Sequence, residues 1–151
     1  ELKEELEARR RAPRKNRVRP EREVVARLEE SMARAKRYRH EVTVLQVRVE
    51  GSAVDGKGQS KLLLSCIRGV DDVGAVEGDS GLYTIVLPHT PVGGGKIVGD
   101  RIAARAKDAG LAAGVGVARA GDESAAAVVK RAASACRQAP SGSVLVAVEV
   151  V

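Results

Sequence analysis

The chain has 151 residues and a mass of 15.9 kDa, which is enough for one domain with a single packed core. Apolar residues make up 44% and charged residues 30%, a balance that excludes a disordered or membrane-spanning chain. No apolar run approaches the roughly 18–20 residues of a membrane helix. Aromatic residues are only 1%, with no Phe or Trp, which argues against the stacking surfaces of single-stranded nucleic-acid binders.

The net charge of +6 belongs to the N-terminal part of the chain. Residues 1–40 contain 14 Lys or Arg against 8 Asp or Glu, whereas residues 41–151 contain 12 of each. A basic arm of this kind can contact nucleic acid or an anionic lipid surface. The interspersed glutamates favour a solvated helical linker instead, so we predict no nucleic-acid partner. The highly charged residues 1–7 do not resemble a signal peptide.

The cysteines and histidines form no recognisable site. Cys66 and Cys136 lie far apart without a CxxC motif, which predicts buried, reduced thiols in a cytoplasmic protein and no disulfide. His40 and His89 fall at the ends of predicted elements, with no carboxylate or Cys partner nearby in the sequence. We therefore predict no metal site.

The first twenty residues are predicted to lie outside the folded domain. Leu2 and Leu6 are four residues apart among charges, a pattern typical of the end of a longer helix. Residues 14–20 are basic and bounded by prolines, which predicts a linker. The predicted organisation is a basic helical linker or coiled-coil end over residues 1–20 and a domain over residues 21–151.

Hydrophobic periodicity and turn residues predict four helices and five strands in the domain. In chain order these are a helix over 21–39, a strand over 41–50, a helix over 59–68, a hairpin of strands over 70–76 and 82–87, a helix over 96–109, a strand over 111–119, a helix over 123–138 and a strand over 144–151. Asp122 is the predicted N-cap of the last helix. The central elements follow the order β-α-β-β-α-β, which predicts an α+β, ferredoxin-like core with helices on one sheet face and an additional N-terminal helix.

The glycine run Gly93-Gly94-Gly95-Lys96 is similar to the end of a phosphate-binding P-loop. Thr90 stands where that motif needs its first glycine, and Ile97 stands where it needs Ser or Thr. We therefore interpret the run as a flexible turn before a helix.

Several segments, in the right order, resemble the GGDEF domain of bacterial diguanylate cyclases. The resemblance covers about residues 22–139. The segments that carry it are 24–47, 83–90 (YTIVLPHT), 99–102 (GDRI, where the family has A-E-R-I), 114–118 (GVGVA, where it has S-I-G-V-A) and 125–139. The resemblance implies a nucleotide-cyclase-like sheet with helices packed on it. It also implies a bacterial protein in second-messenger signalling.

The family's catalytic residues are missing where the resemblance places them. Its cyclases use carboxylates to hold two divalent metals on GTP, the first from a D-I-D segment that here reads Arg48-Val49-Glu50. The signature turn G-G-[DE]-E-F corresponds to residues 77–81 (EGDSG) or 79–83 (DSGLY), and neither matches. The loop over residues 51–58 is too short for the family's guanine-binding segment. We therefore expect a degenerate GGDEF domain without cyclase activity, catalytic residues or bound metal cofactor.

One family feature is retained. Many members bind cyclic di-GMP at an inhibitory R-x-x-D site five residues before the signature, and here Arg68 and Asp71 form R-x-x-D five residues before Glu77. Alignment from Tyr83 implies instead a two-residue insertion in the hairpin. Asp72 is an alternative carboxylate to Asp71. A second basic residue of that site corresponds to Arg101.

The chemistry of these residue types suits a cyclic dinucleotide. The Arg68 guanidinium can bind phosphate oxygens or a guanine edge, and the Asp71 carboxylate can accept hydrogen bonds from guanine N–H groups. Both groups would have to face outward together. The alternative is a chance string in which Arg68 interacts with the C-terminal dipole of its helix.

Two functions follow from the sequence. The first is an inactive GGDEF-like domain that acts as a cyclic di-GMP receptor and relays the signal to a partner or attached domain. The alternative is a protein interaction or dimerisation module that has lost both catalysis and nucleotide binding. In either case the N-terminal helix is a candidate for self-association or for contact with a protein partner.

Overall fold

The computed structural model of the chain describes residues 17–148, so the predictions for residues 1–16 and 149–151 fall outside the described part. The described chain folds into six strands and four helices. In chain order they are β1 (Val18–Pro20), α1 (Glu21–Tyr38), β2 (Val42–Glu50), α2 (Gly56–Ser65), β3 (Asp72–Ala75), β4 (Leu82–Pro88), α3 (Val92–Asp108), β5 (Ala112–Arg119), α4 (Ala125–Gln138) and β6 (Val144–Val146). No helix among these residues is long and apolar enough to cross a membrane.

All six strands form one sheet in the order β1-β3-β4-β2-β5-β6. The central strand β2 pairs antiparallel with β4 on one side and with β5 on the other. The outer strands β1 and β6 are only three residues long, and each pairs parallel with its neighbour. The predicted α+β core is therefore confirmed, with an additional strand at one edge.

Helices cover both faces of the sheet, which corrects the prediction of one covered face. Leu45 and Val47 of β2 pack in a cluster with Leu63 of α2 and Ile102 of α3. Val42 and Val44 pack on the other face, in a cluster with residues of α1 and α4. Successive side chains of a strand point to opposite faces, so the consecutive buried residues of β2 require cover on both sides.

Helix α2 begins and ends earlier than predicted. The Asp55 carboxylate accepts a hydrogen bond from the Gly58 amide at 2.8 Å and so caps the helix at Gly56. The helix ends at Ser65, so Arg68 lies in the following turn and not in the helix.

Helix α3 includes the glycine run that was expected to be a turn. A Cβ atom on Gly95 would lie 2.5 Å from Thr43 Cγ2, and one on Gly99 would lie 3.1 Å from Val144 Cγ1. Glycine lets this helix approach the sheet closely, and packing therefore overrides its low helix propensity. At the start of α4, Ser124 rather than Asp122 provides the N-cap, accepting from the Ala127 amide at 3.2 Å.

The two edge strands also differ from the predictions. Residues 18–20, expected to be linker, form β1 and pair with Val73, Gly74 and Ala75 of β3. The last strand begins at Val144 as predicted, and its assigned part ends at Val146. The folded unit therefore includes residues on the N-terminal side of the predicted boundary.

Gly116 gives a test of how closely α4 packs on the sheet. A Cβ atom there would lie 2.2 Å from Ala132 O and 2.3 Å from Cys136 N, both in the backbone of α4. We expect Gly116→Ala to lower the free energy of unfolding by about 3 kcal/mol, because the helix backbone has to move. Urea denaturation followed by circular dichroism measures the effect.

Gly93→Ala is the matched control. Gly93 lies in α3, and an added Cβ atom would have no neighbour within 4 Å. We expect this variant to be more stable by roughly 0.5–1 kcal/mol, because alanine is the better helix former. Equal midpoints for the two variants would contradict the proposed packing.

Candidate functional site

The end of β2 and the β3–β4 turn lie side by side. Arg48 of β2 pairs with Leu82 of β4, and the Val49 amide donates a hydrogen bond to Gly81 O at 2.7 Å. Gly81 has φ 85°, and a Cβ atom on it would lie 2.6 Å from Val49 O, so this position requires glycine. The fold thus joins the two segments in which the resemblance places the metal ligand and the signature turn.

Arg48 fills the end of β2 with a fixed positive charge. Its guanidinium donates to Cys136 O at 2.6 Å and to Ala139 O at 3.0 Å, at the C-terminal end of α4. Its Nε donates to Glu50 Oε1 at 2.5 Å. Free carbonyls and the helix dipole both favour a cation at a helix C-terminus. A Cβ atom on Gly114 would lie 2.4 Å from Arg48 Nη2, so the guanidinium lies directly on the glycine of β5.

The remaining donors at this place do not suit a pair of divalent cations. Both carboxylate oxygens of Glu50 are occupied, one by Arg48 and the other by Ser141 Oγ at 2.9 Å. The hydrogen bonds from Arg48 and then from Ser141 lower the pKa of Glu50. A guanidinium repels the metal that a carboxylate would hold, and a single occupied carboxylate does not compensate. The residues here do not fit the two-metal site of a cyclase.

The other acidic residue beside the turn is Glu21, the first residue of α1. One of its carboxylate oxygens is buried and has no hydrogen-bond partner among the described residues. Burial, followed by the charge of Asp79 in the turn, raises the pKa of Glu21. Sequence reasoning did not select Glu21, because its place next to the turn depends on how α1 packs over β3.

Arg68 and Asp71 are brought together, but they do not face outward as a pair. Asp71 is 1% exposed, and its carboxylate accepts hydrogen bonds from Arg68 N at 2.8 Å, Nε at 3.2 Å and Nη2 at 2.9 Å. Nη2 of Arg68 also donates to Thr90 Oγ1 at 2.7 Å and to Pro88 O at 3.1 Å. The expectation that the Asp71 carboxylate is presented to a ligand is therefore wrong for this structure.

The buried carboxylate instead positions the guanidinium. The Arg68 side chain is 56% exposed, and its hydrogen bonds with Asp71 raise its pKa further. Of the R-x-x-D pair, the arginine is thus the member that solvent reaches.

Arg101 and a further arginine, Arg105, bond to the segment that leads to Arg68. Arg101 Nη1 donates to Cys66 O at 3.0 Å, and Arg105 Nη1 donates to both Ser65 O and Ser65 Oγ at 2.7 Å. These acceptors are at the C-terminal end of α2, two or three residues before Arg68. Arg105 was missed by sequence reasoning, although its i,i+4 spacing from Arg101 places both on one face of α3. We call Arg68, Arg101 and Arg105 the arginine cluster.

Asp72 is separated from the arginine cluster. Its carboxylate accepts a hydrogen bond from Arg27 Nε of α1 at 2.9 Å and lies 3.8 Å from Arg19 Nε of β1. Asp72 therefore contacts β1 and α1, whereas the preceding residue, Asp71, contacts Arg68. The alternative assignment of Asp72 to the same ligand site is not supported by this arrangement.

The two histidines, which sequence reasoning left without partners, are in contact. The ring centroids of His40 and His89 are 4.2 Å apart, with the planes at 69°. The pairing of Val42 with Pro88 explains this, because His40 precedes β2 and His89 follows β4. Antiparallel pairing of the strands predicted over 41–50 and 82–87 is the signal that could have placed the two histidines together. The cysteines are both buried and free, as predicted.

Comparison with solved structures places the fold among GGDEF domains. The GGDEF domain of TpbB (YfiN) from Pseudomonas aeruginosa has a TM-score of 0.77 and 17% identity, with 87% of this chain and 91% of that chain covered. The active GGEEF domain of a diguanylate cyclase from Vibrio cholerae has a TM-score of 0.70 and 22% identity, covering 88% of this chain and 99% of that one.

A third similar structure contains a nucleotide. The GGDEF domain of DgcB from Caulobacter crescentus, in complex with c-di-GMP, has a TM-score of 0.69 and 12% identity, covering 87% of this chain and 90% of that chain. No protein-family model matches the sequence, and no curated protein matches it. At these identities the likeness establishes the fold, so the GGDEF-like architecture inferred from the sequence segments is confirmed.

The structural role of Asp71 can be tested by removing its charge. Asp71→Asn weakens the three hydrogen bonds from Arg68 and turns one acceptor oxygen into a donor. We expect the free energy of unfolding to fall by about 1.5–3 kcal/mol in urea denaturation.

Asp100→Asn is the control, because Asp100 forms an exposed i,i+4 ion pair with Lys96 at 3.0 Å. Its loss should change stability by less than about 0.5 kcal/mol. The assignment fails if the two variants unfold at the same denaturant concentration.

Proposed function

We propose that this chain is a non-catalytic GGDEF-like domain that binds cyclic di-GMP at the arginine cluster and passes the signal to a partner or attached domain. The proposal rests on three exposed arginines around the end of α2: Arg101 and Arg105 donate to Cys66 O and Ser65 O, and Arg68 follows two residues after Cys66. The carboxylate closest to them, Asp71, is buried and bonded to Arg68. The exposed groups at this place are therefore cationic.

Cyclic di-GMP suits this arrangement chemically. Its two phosphates each carry a negative charge, and a guanidinium binds phosphate oxygens through two parallel N–H groups. The same planar group can stack on a guanine base or donate to its acceptor edge. Because Asp71 holds Arg68 in one orientation, the guanidinium loses less conformational entropy on binding. The c-di-GMP complex of a domain with the same fold supports the choice of ligand.

The arrangement of Arg48 supports the absence of catalysis. Cyclisation of GTP requires divalent metals to neutralise the phosphates while the 3′-hydroxyl attacks the α-phosphorus. Here a guanidinium bonded to Cys136 O, Ala139 O and Glu50 stands at the end of β2. The family's guanine-binding segment is also missing from the loop between β2 and α2.

We expect no turnover of GTP. Purified protein incubated with GTP and Mg²⁺ should release no pyrophosphate and form no cyclic di-GMP above a heat-denatured sample, while an active GGDEF cyclase serves as the positive control. Product that is formed by this chain, and abolished by substitution of Glu50, would refute the non-catalytic assignment.

Isothermal titration calorimetry with cyclic di-GMP tests the binding site. We expect saturable heat for the unmodified chain and a roughly tenfold to hundredfold weaker affinity for Arg101→Ala, which corresponds to one charge-assisted contact. The double variant Arg68→Ala/Asp71→Ala removes both partners and so leaves no unpaired buried charge; it should weaken binding by at least as much. Circular dichroism checks that each variant is folded.

Arg137→Ala is the matched control for lost positive charge. Arg137 is exposed on α4, which packs on the opposite face of the sheet from α2 and α3. Its removal should leave the affinity unchanged. If folded protein gives no heat at high micromolar cyclic di-GMP, the receptor assignment fails and the interaction-module function takes its place. Equal losses in Arg101→Ala and Arg137→Ala would also count against a defined site.

A further inference from the structure

A second concave site lies beside α1, and one of its lining residues, Pro88, accepts a hydrogen bond from Arg68 through its carbonyl. It is a cleft of about 460 Å³ between the C-terminal half of α1 and the sheet, within the size range of small-molecule sites. It is open where α1 ends and β2 begins. Nothing in the GGDEF-like features of the sequence accounts for it.

The floor of the cleft is apolar. Val42, Val70 and Pro88 line it, and Val70 is 61% exposed although it is a large aliphatic residue. Valine and proline side chains offer apolar contacts on which a planar ring can lie. An exposed valine beside a concave surface indicates a binding site more strongly than an isolated apolar residue on a convex surface does.

The rim of the cleft carries nitrogen donors. Arg27, Arg34, His40 and His89 line it together with the carboxylates Asp72 and Glu30. Asp72 is neutralised by Arg27 at 2.9 Å and by Arg19 at 3.8 Å. Arg34 has no ion-pair partner within 4.0 Å in the described part of the chain, residues 17–148.

Two arginines and two carboxylates line the cleft, and the segment at the end of α1 next to it is positively charged. Residues 34–39 contain four Lys or Arg and no carboxylate, and all four cations are exposed. The helix dipole favours cations at the C-terminal end of a helix, but it does not by itself account for four of them. A group of like charges around a concave surface raises the local concentration of anions.

The backbone holds the two imidazoles at this mouth. Arg39 has φ 57° and His89 has φ 53°; they are the two non-glycine residues with positive φ in the described chain. The left-handed conformation is unfavourable for such residues and persists where the surrounding structure enforces it. Here both strained residues lie at the contact between His40 and His89, which fixes the two rings at 4.2 Å.

We propose that this cleft binds a small phosphate monoester with a planar base, a nucleoside monophosphate in chemical class. The phosphate lies against Arg34 and the two imidazoles, and the base lies on Val70 and Pro88. None of the arginine cluster lines the cleft, although Arg68 Nη2 donates to the carbonyl of Pro88, which does.

The protein's only two histidines provide a specific readout. Ring C–H signals of His40 and His89 in a ¹H–¹³C spectrum of the labelled chain are followed during titration with GMP, inorganic phosphate and guanosine at physiological salt. We expect both rings to shift saturably with GMP, and phosphate and guanosine to bind each at least about tenfold more weakly, since each lacks one half of the ligand. Arg34→Ala should weaken GMP binding by about tenfold, the size of one charge-assisted contact. Arg137→Ala should not change it.

Several results would overturn the proposal. These are imidazole signals that stay unchanged at millimolar GMP in folded protein, and equal affinities of Arg34→Ala and Arg137→Ala. Inorganic phosphate binding as tightly as GMP would reduce the site to a non-specific anion contact. Because cyclic di-GMP binding is measured separately by calorimetry with the Arg101 variant, failure here leaves that assignment standing, and the reverse also holds.

Discussion

The placement of strand β2 in the middle of the sheet is the constraint on which both ends of the molecule depend. Its backbone is paired on both edges and its side chains are buried on both faces, so a shift by one residue would exchange the side chains that fill the two hydrophobic clusters. At its C-terminal end this register sets Arg48 over Gly114 and next to the β3–β4 turn. At its N-terminal end the same register brings His40 against His89. The candidate sites are thus consequences of one strand's position.

Arginine does three different tasks in this domain, and the difference lies in what each guanidinium contacts. Arg48 donates to carbonyls at the end of α4. Arg68 is held by a buried carboxylate and keeps an exposed surface. Arg27 neutralises Asp72 at the cleft, whereas Arg34 at the same cleft has no such partner among the described residues. The sequence alone does not distinguish these arginines, because it does not show which acceptor each guanidinium bonds.

The Arg68–Asp71 pair shows how a motif can keep its residues and change its physical meaning. Read as a string, R-x-x-D offers a cation and a carboxylate to a ligand. In the folded chain the carboxylate is buried with its hydrogen bonds satisfied from within, so it belongs to the scaffold and stabilises the turn after α2. In the proposed receptor function, the three exposed arginines provide the ligand contacts instead. A buried, satisfied carboxylate is also a strong reason for a chain to retain an aspartate at this position, whether or not a ligand binds.

Local patterns determined the order of the elements from α1 to β6, the burial of Val24 and Leu28 on α1, and the hairpin between β3 and β4, because these depend on local alternation and turn residues. The segments Arg48-Val49-Glu50 and 77–81, on which the expectation of a degenerate domain rests, were likewise readable from the chain. Only the tertiary structure decided that both sheet faces are covered and that the glycine run belongs to α3. It also decided that Asp71 is buried and separated from Asp72, and that Arg105 and the paired histidines lie at the surface. Each of these depends on which element packs against which, and pairing between segments that are far apart in the chain is not encoded in any local pattern.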